Sequence, residues 1–273
     1  MKTRIITAAA GIPVLLVLIL LAPLWVFGIA MGAVCAISAW ELMRCALGKT
    51  PRRIYVSAMI AAFAMPLFFS LGGGLRSGVG VLLFLFFILS LELMITFPQR
   101  RITLEMVAVS MLAGAVLPMM LATVVRIGGE DTAGRCRMLL PLAVSFGTDA
   151  GAYFVGLKWG KRKLAPSISP NKTLAGAIGG IVSGGLAALL FGGILTLCEL
   201  RVGWLALFTF GLLGGLLAEL GDLTFSAIKR QYGIKDYSNI LPGHGGMLDR
   251  FDSLYYLAPL AELWLGWFFV IGA

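Results

Sequence analysis

Long apolar segments fill most of this chain and constrain its fold more than any other feature. A transmembrane helix needs about 20 mostly apolar residues, and nine segments of roughly that length can be marked. They cover residues 5–22, 24–43, 54–71, 79–97, 105–125, 138–157, 174–198, 202–228 and 254–272. We therefore predict an all-α fold, a polytopic transmembrane helical bundle with about nine spans.

The composition excludes the main soluble classes of protein. Hydrophobic residues make up 59% of the 273 residues and charged residues only 13%, whereas soluble domains carry about 25% charged residues. A soluble fold of this length could not hide so much apolar surface, and a disordered chain would be far more polar. The net charge of +9 therefore indicates membrane topology and anionic substrates, and we expect no nucleic-acid partner.

The basic residues are divided unequally between alternate loops. If the chain has nine spans, the side opposite the N-terminus holds only 5 of the 22 lysines and arginines, and the N-terminal side holds the other 17. The positive-inside rule then predicts an integral protein of the cell (inner, cytoplasmic) membrane with a cytoplasmic N-terminus. We expect a single integral membrane domain over 1–273, with N-terminal spans in 1–135 and a catalytic part in 136–273. The five basic residues on the far side are Arg76, Arg126, Arg135, Arg137 and Arg201.

Carboxylates within apolar segments are candidates for function, because burying them in lipid is costly. Glu41 and Glu92 fit an interfacial or helix-packing role, which we favour. Asp149, Glu219 and Asp222 differ, since they lie close to two polar loops on the side assigned to the cytoplasm.

The first of these loops, 158–173, combines a basic run with hydroxyl groups. The basic run over 158–163 is explained by topology alone. The free N–H groups at the start of the seventh span would suit a phosphate, although Ser and Thr there would equally serve as N-caps. The polar candidates are Ser167, Ser169, Asn171, Lys172 and Thr173.

The second loop, 221–252, is the richest in reactive side chains. On a continuing helix, Asp222, Ser226 and Lys229 share one face, with Arg230 beside them. A carboxylate, a hydroxyl and a cation on one face could hold a metal and a phosphate together, or form a solvated helix end with a salt bridge.

A glycine turn follows, over 242–246, and it contains His244, the only histidine of the chain. Both a structural and a functional role are open for this histidine. Asp249 and Asp252 come next, and carboxylates near Lys and Arg indicate phosphate chemistry with Mg²⁺. At the cytoplasmic membrane edge, such a site could bring a lipid and a nucleotide together.

The second loop resembles the signature of the phosphatidate cytidylyltransferase family, also called CDP-diacylglycerol synthases. The resemblance is strong over about residues 145–253, and the segments 149–156 and 169–173 are also similar to the family. The matching positions of the signature are Ser226, Lys229, Arg230, Lys235, Asp236, Pro242, His244, Gly245, Gly246, Asp249, Arg250 and Asp252.

The resemblance implies an enzyme that transfers CMP from CTP to phosphatidic acid in the bilayer and releases pyrophosphate. It implies a Mg²⁺ site held by carboxylates that match Asp222 and Asp249. Phosphate chemistry of this kind favours a two-ion site, and a monovalent cation and a homodimer are compatible with the sequence. Lys229 and His244 join these two aspartates as catalytic candidates. The expected substrate-binding residues are Asp149, Ser169, Lys172, Thr173, Ser226, Arg230, Lys235, Asp236, Gly245, Gly246, Arg250 and Asp252.

The chain departs from the family at one place in the first loop. Leu174 and Ala175 stand where the family commonly has Trp and Glu, so a catalytic role for that glutamate is excluded here.

Two other classes of membrane protein fit the sequence less well. A membrane prenyltransferase also uses intramembrane Asp and Mg²⁺, but it requires paired Asp-rich motifs that this chain lacks. A secondary transporter would show buried charges in several spans and an inverted repeat, whereas the charges here cluster on one side.

Overall fold

A computed structural model describes residues 11, 13–48, 50–99, 101–240, 243 and 245–272. The helices in these ranges are α1 (13–20), α2 (Leu24–Leu47), α3 (Arg52–Ser70), α4 (Gly74–Thr96), α5 (Leu104–Arg126), α6 (Thr132–Trp159), α7 (Leu174–Leu197), α8 (Trp204–Gln231) and α9 (Leu248–Trp267). The antiparallel strands β1 (Lys163–Ala165) and β2 (Ser169–Thr173) form one small sheet, and β3 (Arg201–Val202) and β4 (Ile271–Gly272) form another.

The predicted all-α class is confirmed. The described residues are mostly helical, and their strands form just two short two-stranded sheets. Seven of the described helices, α2 to α8, are long and apolar enough to cross a membrane. The first predicted span, 5–22, lies partly outside the described residues. The ninth, 254–272, corresponds to α9, which starts earlier, ends at Trp267 and is not among the seven.

Local sequence explains where several helices begin. Pro23 and Pro51 precede α2 and α3, and proline is well tolerated at a helix start because it has no N–H to leave unpaired. Thr103 caps α5 by accepting a hydrogen bond from the Met106 N–H at 3.3 Å. Within α5, residues Leu112–Val116 form a π-helical turn.

The chain divides into two compact units. The first consists of Met1–Arg126 and Tyr232–Arg250, and the second consists of Ile127–Gln231 and Phe251–Ala273. The segment 232–250 thus interrupts the second unit in sequence while it folds with the first. Among the described residues, the largest fully buried side chains are Ile19, Phe27, Met43, Ile54, Met65, Leu85, Leu89 and Leu121 in the first unit, and Met138, Phe210, Phe225 and Tyr255 in the second.

Close helix packing in the second unit depends on small residues. A methyl group added at Gly151 of α6 would lie 2.0 Å from the hydroxyl oxygen of Ser183 on α7, so only glycine allows this approach. Small residues at such contacts are characteristic of helices packed in lipid. The approach positions the cavity described next, because residues of both α6 and α7 line it.

Candidate active site

A cavity of about 540 Å³ lies in the second unit, among α6, α7, α8 and the β1–β2 hairpin. It brings together five candidates from the sequence, which are Asp149, Asn171, Lys172, Thr173 and Asp222. Glu219, singled out as an intramembrane carboxylate, also lines it. Sequence reasoning missed Lys163, which it assigned to topology alone. The polar lining residues are Asp149, Lys163, Asn171, Lys172, Thr173, Glu219 and Asp222.

Lys172 is the cationic centre of this cavity. Its Nζ lies 2.5 Å from Glu219 Oε2 and 2.7 Å from Asp222 Oδ2, so the strand β2 is tied to α8 by two ion pairs. Burial disfavours the charged ammonium, but Asp222 and Glu219 outweigh this effect and raise the pKa of Lys172 above its ordinary value. The side chain is therefore a cation at neutral pH.

Thr173 shows why β2 ends where it does. Its hydroxyl accepts a hydrogen bond from the Gly176 N–H at 3.1 Å, so Thr173 is the N-cap of α7. This confirms the N-cap interpretation of the first loop, and it places the positive end of the α7 dipole at the cavity wall.

The predicted polar face of α8 is present. Ser226 Oγ donates to Asp222 Oδ1 at 3.1 Å, one helical turn apart. Lys229 is buried on the same helix. Arg230 donates from Nε to the backbone oxygen of Ile168 at 3.1 Å, so it also fastens α8 to the hairpin that carries Ser169.

Negative charge accumulates beside this face. Burial and the carboxylate of Asp222 raise the pKa of Asp252 to about 7, and Asp149 adds to the effect. The N–H of Ser253 and the ammonium of Lys229 lower it, but not enough to compensate. Asp252 is therefore a desolvated carboxyl that lies within electrostatic reach of Asp222, Asp149 and Lys229.

A separate polar cluster organises the glycine turn in the first unit. Asp249, in the first turn of α9, accepts hydrogen bonds at its Oδ2 from the N–H groups of Tyr237 and Gly246, both at 2.9 Å. Carboxylates are favourable at a helix N-terminus, where N–H groups lack partners. Asp249 thus fixes both ends of the segment that contains the signature turn.

Glu41 holds the same segment from α2. Its carboxylate is fully buried and accepts from the N–H of Met247 at 2.9 Å, the N–H of Leu248 at 2.7 Å and the hydroxyl of Ser238. The sequence favoured a helix-packing role for Glu41, and these contacts assign it a more specific one. The sequence feature that pointed to Glu41 was its position in an apolar segment, where burying a carboxylate is costly.

Two of the three glycines of the turn, Gly245 and Gly246, are required for different physical reasons. Gly245 has φ +82°, a left-handed conformation that side chains other than glycine rarely adopt. Gly246 has ordinary torsions, but a methyl group there would lie 2.6 Å from Glu41 Oε1. The other predicted residues of this segment, Lys235, Asp236 and Arg250, are exposed, and Pro242 and His244 lie outside the described residues.

The donors of the second unit fit a hard divalent cation. Carboxylate oxygens are the ligands that Mg²⁺ prefers, and Asp149 and Asp222 both lie within electrostatic reach of Asp252. In the part of the chain that the structure covers, no three His, Cys, Asp or Glu side chains are grouped closely enough to hold a metal. Asp222 belongs to the second unit and Asp249 to the first, so their sharing of a metal stays a prediction.

Comparison with known proteins places this site in a family context. A profile of the cytidylyltransferase family matches residues 2–268. The chain is 34% identical over 273 residues to the phosphatidate cytidylyltransferase of Bacillus subtilis (strain 168), with 98% of each chain covered. It is 31% identical over 295 residues to that of Haemophilus influenzae, covering 99% of this chain and all of the relative. Over 128 residues it is 39% identical to that of Staphylococcus saprophyticus, 47% of this chain and 48% of the relative.

Proposed function

The chain belongs to the cytidylyltransferase family, and we propose that it is a phosphatidate cytidylyltransferase. A phosphate oxygen of phosphatidic acid attacks the α-phosphorus of CTP and forms a new P–O bond. The bond between the α-phosphorus and the oxygen bridging to the β-phosphate breaks, so pyrophosphate leaves and CDP-diacylglycerol remains. Two relatives that align over their full length carry this name, which favours the proposal over a prenyltransferase or a transporter.

The cavity of the second unit is the observation that carries the proposal. Both substrates bring phosphate groups to the reaction, and a cationic Lys172 with Lys163 on the same wall would draw these anions into one place. The N-terminus of α7, capped by Thr173, adds a positive dipole end. Lys229 and Arg230 on α8 extend the basic character beside the carboxylates.

We propose that Asp222 binds Mg²⁺, with Asp249 as a second ligand and with Asp149 and Asp252 near it. When bound, the ion would neutralise charge on the reacting phosphates. Lys172 would then exchange one of its carboxylate partners for a substrate phosphate, since its ammonium can donate three hydrogen bonds. Ser226 keeps Asp222 oriented through its 3.1 Å hydrogen bond. A second ion and a monovalent cation remain part of this proposal.

A substrate-dependence assay tests the reaction. The full chain, purified in detergent, should release pyrophosphate from CTP only when phosphatidic acid is present, and labelled cytidine should appear in the lipid. Diacylglycerol is the matched control, because it has the same acyl chains but no phosphate nucleophile. Pyrophosphate release that does not require phosphatidic acid, or label that stays out of the lipid, would contradict the proposed function.

Metal removal is tested in the same preparation. Chelation should abolish turnover, and Mg²⁺ should restore it, because two anionic substrates must meet beside the carboxylates lining the cavity, Asp149, Glu219 and Asp222, and a divalent cation would offset their mutual repulsion. Turnover that is unchanged by exhaustive chelation would remove Mg²⁺ from the proposal while leaving the substrates untouched.

We further propose that the protein lies in the cell's inner membrane with its N-terminus in the cytoplasm, where CTP is available. The support is the seven long apolar helices and the distribution of basic residues. A homodimer is compatible with this arrangement.

A further inference from the structure

A second and larger cavity lies in the first unit, as a groove of about 1,080 Å³ between α3 and α4. Its lining residues recur every three to four positions on both helices, so one face of each helix forms the groove. Ala61, Val81 and Leu85 are buried and form its floor. The remaining apolar or small residues that line it are Val56, Ser57, Ile60, Ala64, Phe68, Ser77, Gly80, Phe84 and Ile88.

The rim of this groove is apolar and open. Ile60 on α3 is 61% exposed and Phe84 on α4 is 65% exposed. Contiguous apolar surface of this size needs a partner, which can be lipid or protein. Its length along α3, from Arg53 to Phe68, is about 22 Å at 1.5 Å per residue, and one leaflet of the hydrocarbon core is about 15 Å thick. The groove is therefore long enough for an acyl chain.

One end of the groove is charged. Arg52 and Arg53 at the start of α3 meet Glu92 of α4 there, and Arg53 pairs with Glu92 at 3.1 Å while remaining 63% exposed. Arg52 makes no ion pair within the described part of the chain. Two arginines and one glutamate leave a net positive charge at this end, and the planar arginine fork matches a phosphate.

We propose that this groove binds one anionic glycerophospholipid, with its acyl chains between α3 and α4 and its phosphate at Arg52 and Arg53. A long apolar slot that ends in positive charge complements such a lipid. It complements a second copy of this chain less well, because copies related by a two-fold axis along the membrane normal are parallel and would bring their arginine ends together. The site is separate from the catalytic proposal and does not require it.

Two variants test the two halves of the site. A Cβ atom added at Gly80 would meet nothing within 4 Å, so Gly80→Leu should fold and place its side chain in the groove. Its matched control is Gly193→Leu on α7, which is equally open but does not line the groove. Arg52→Gln removes the charge, and Arg76→Gln, at an exposed arginine outside the groove, is its control.

The measurement is native mass spectrometry of the full chain in detergent, titrated with phosphatidylglycerol or with phosphatidylcholine. Phosphatidylglycerol is used because phosphatidic acid would also enter the catalytic cavity. We expect one retained phosphatidylglycerol that binds more tightly than phosphatidylcholine. Gly80→Leu should weaken it at least about tenfold by overfilling the groove, and Arg52→Gln about fivefold, on the scale of one basic residue near an anionic lipid. Both controls should bind like the unmodified chain.

Three results would overturn the proposal. One is equal retention of the two lipids together with unchanged binding in Arg52→Gln, which would indicate bulk lipid. Another is that Gly193→Leu weakens binding as much as Gly80→Leu. The third is that Gly80→Leu leaves lipid binding intact but converts a dimer into a monomer in the same spectra, which would assign the groove to a second copy.

Discussion

Asp222 connects Lys172 with Ser226. Its Oδ2 pairs with the ammonium of Lys172, and its Oδ1 accepts a hydrogen bond from the hydroxyl of Ser226. Asn is nearly isosteric with Asp but carries no charge, so it would keep the packing and remove the anion. We expect Asp222→Asn to remain folded and to lose at least about 100-fold in turnover, the scale of a lost electrostatic catalytic group. Pyrophosphate release at saturating substrates and thermal unfolding in detergent measure the two properties.

The control for Asp222→Asn is Glu105→Gln, an exposed carboxylate in the first turn of α5. It loses the same charge at a position that does not line the cavity. If both variants keep near-normal turnover, Asp222 does not act in catalysis.

Glu41 allows a second test at the level of one side chain. Both of its oxygens accept backbone N–H groups, so Glu41→Gln must leave at least one buried donor without an acceptor. Such a group costs about 1–3 kcal/mol, and the melting temperature should fall accordingly. Glu92→Gln is the matched control, because Glu92 pairs with an exposed arginine and such pairs contribute little. A larger loss in Glu92→Gln would contradict this assignment.

The start of α9 shows how separate elements meet at one turn. Gly246 precedes this helix, and its N–H is bound by Asp249 while Glu41 lies against its Cα. Gly246→Ala introduces a methyl group into that contact without changing backbone torsions. We expect it to displace the turn and to lower turnover, whereas Gly266→Ala in the same helix, where nothing lies within 4 Å, should have no effect. Hydrogen exchange of the Met247 and Leu248 amides reports the displacement, and protection equal to that of the unmodified chain would contradict the expected clash.

Helical periodicity predicts contacts between residues of the same helix, but it does not predict contacts between residues that lie far apart in the sequence. The Asp222–Ser226 contact follows from helical spacing, and the start of α7 follows from Thr173. The β1–β2 hairpin was not predicted, because Lys163–Ala165 and Ser169–Thr173 have only three and five residues and no alternating apolar pattern. The contact from Glu41 to Leu248 spans 207 positions, and nothing local in the sequence indicates it.

The whole molecule differs from a simple succession of spans. The sequence predicts one domain with an N-terminal and a catalytic part, and the structure separates two units with 232–250 in the first. Glu41, Ser238 and Asp249 help to explain why this segment folds there, since the hydrogen bonds from Tyr237 to Asp249 and from Ser238 and Met247 to Glu41 lie within the first unit. The signature residues Asp222 and Asp249 consequently belong to different units, although 27 positions separate them in the chain.

The orientation of the chain can be tested with two exposed positions. Arg76 lies at the start of α4, and Lys161 lies between α6 and α7. Three of the seven candidate spans, α4, α5 and α6, separate them, so the two positions should face opposite sides of the membrane whatever the first and last segments do. The positive-inside rule assigns Lys161, with its neighbouring lysines and arginine, to the cytoplasm.

With Cys35, Cys45, Cys136 and Cys198 replaced, a cysteine at Arg76 should therefore react with an impermeant thiol reagent in intact cells. A cysteine at Lys161 should react only after the cells are opened. Labelling of both positions from outside would mean that one of the three helices does not cross the membrane. Labelling of Lys161 alone would place the candidate active site on the outer face, away from CTP, and would contradict the proposed function as well as the orientation.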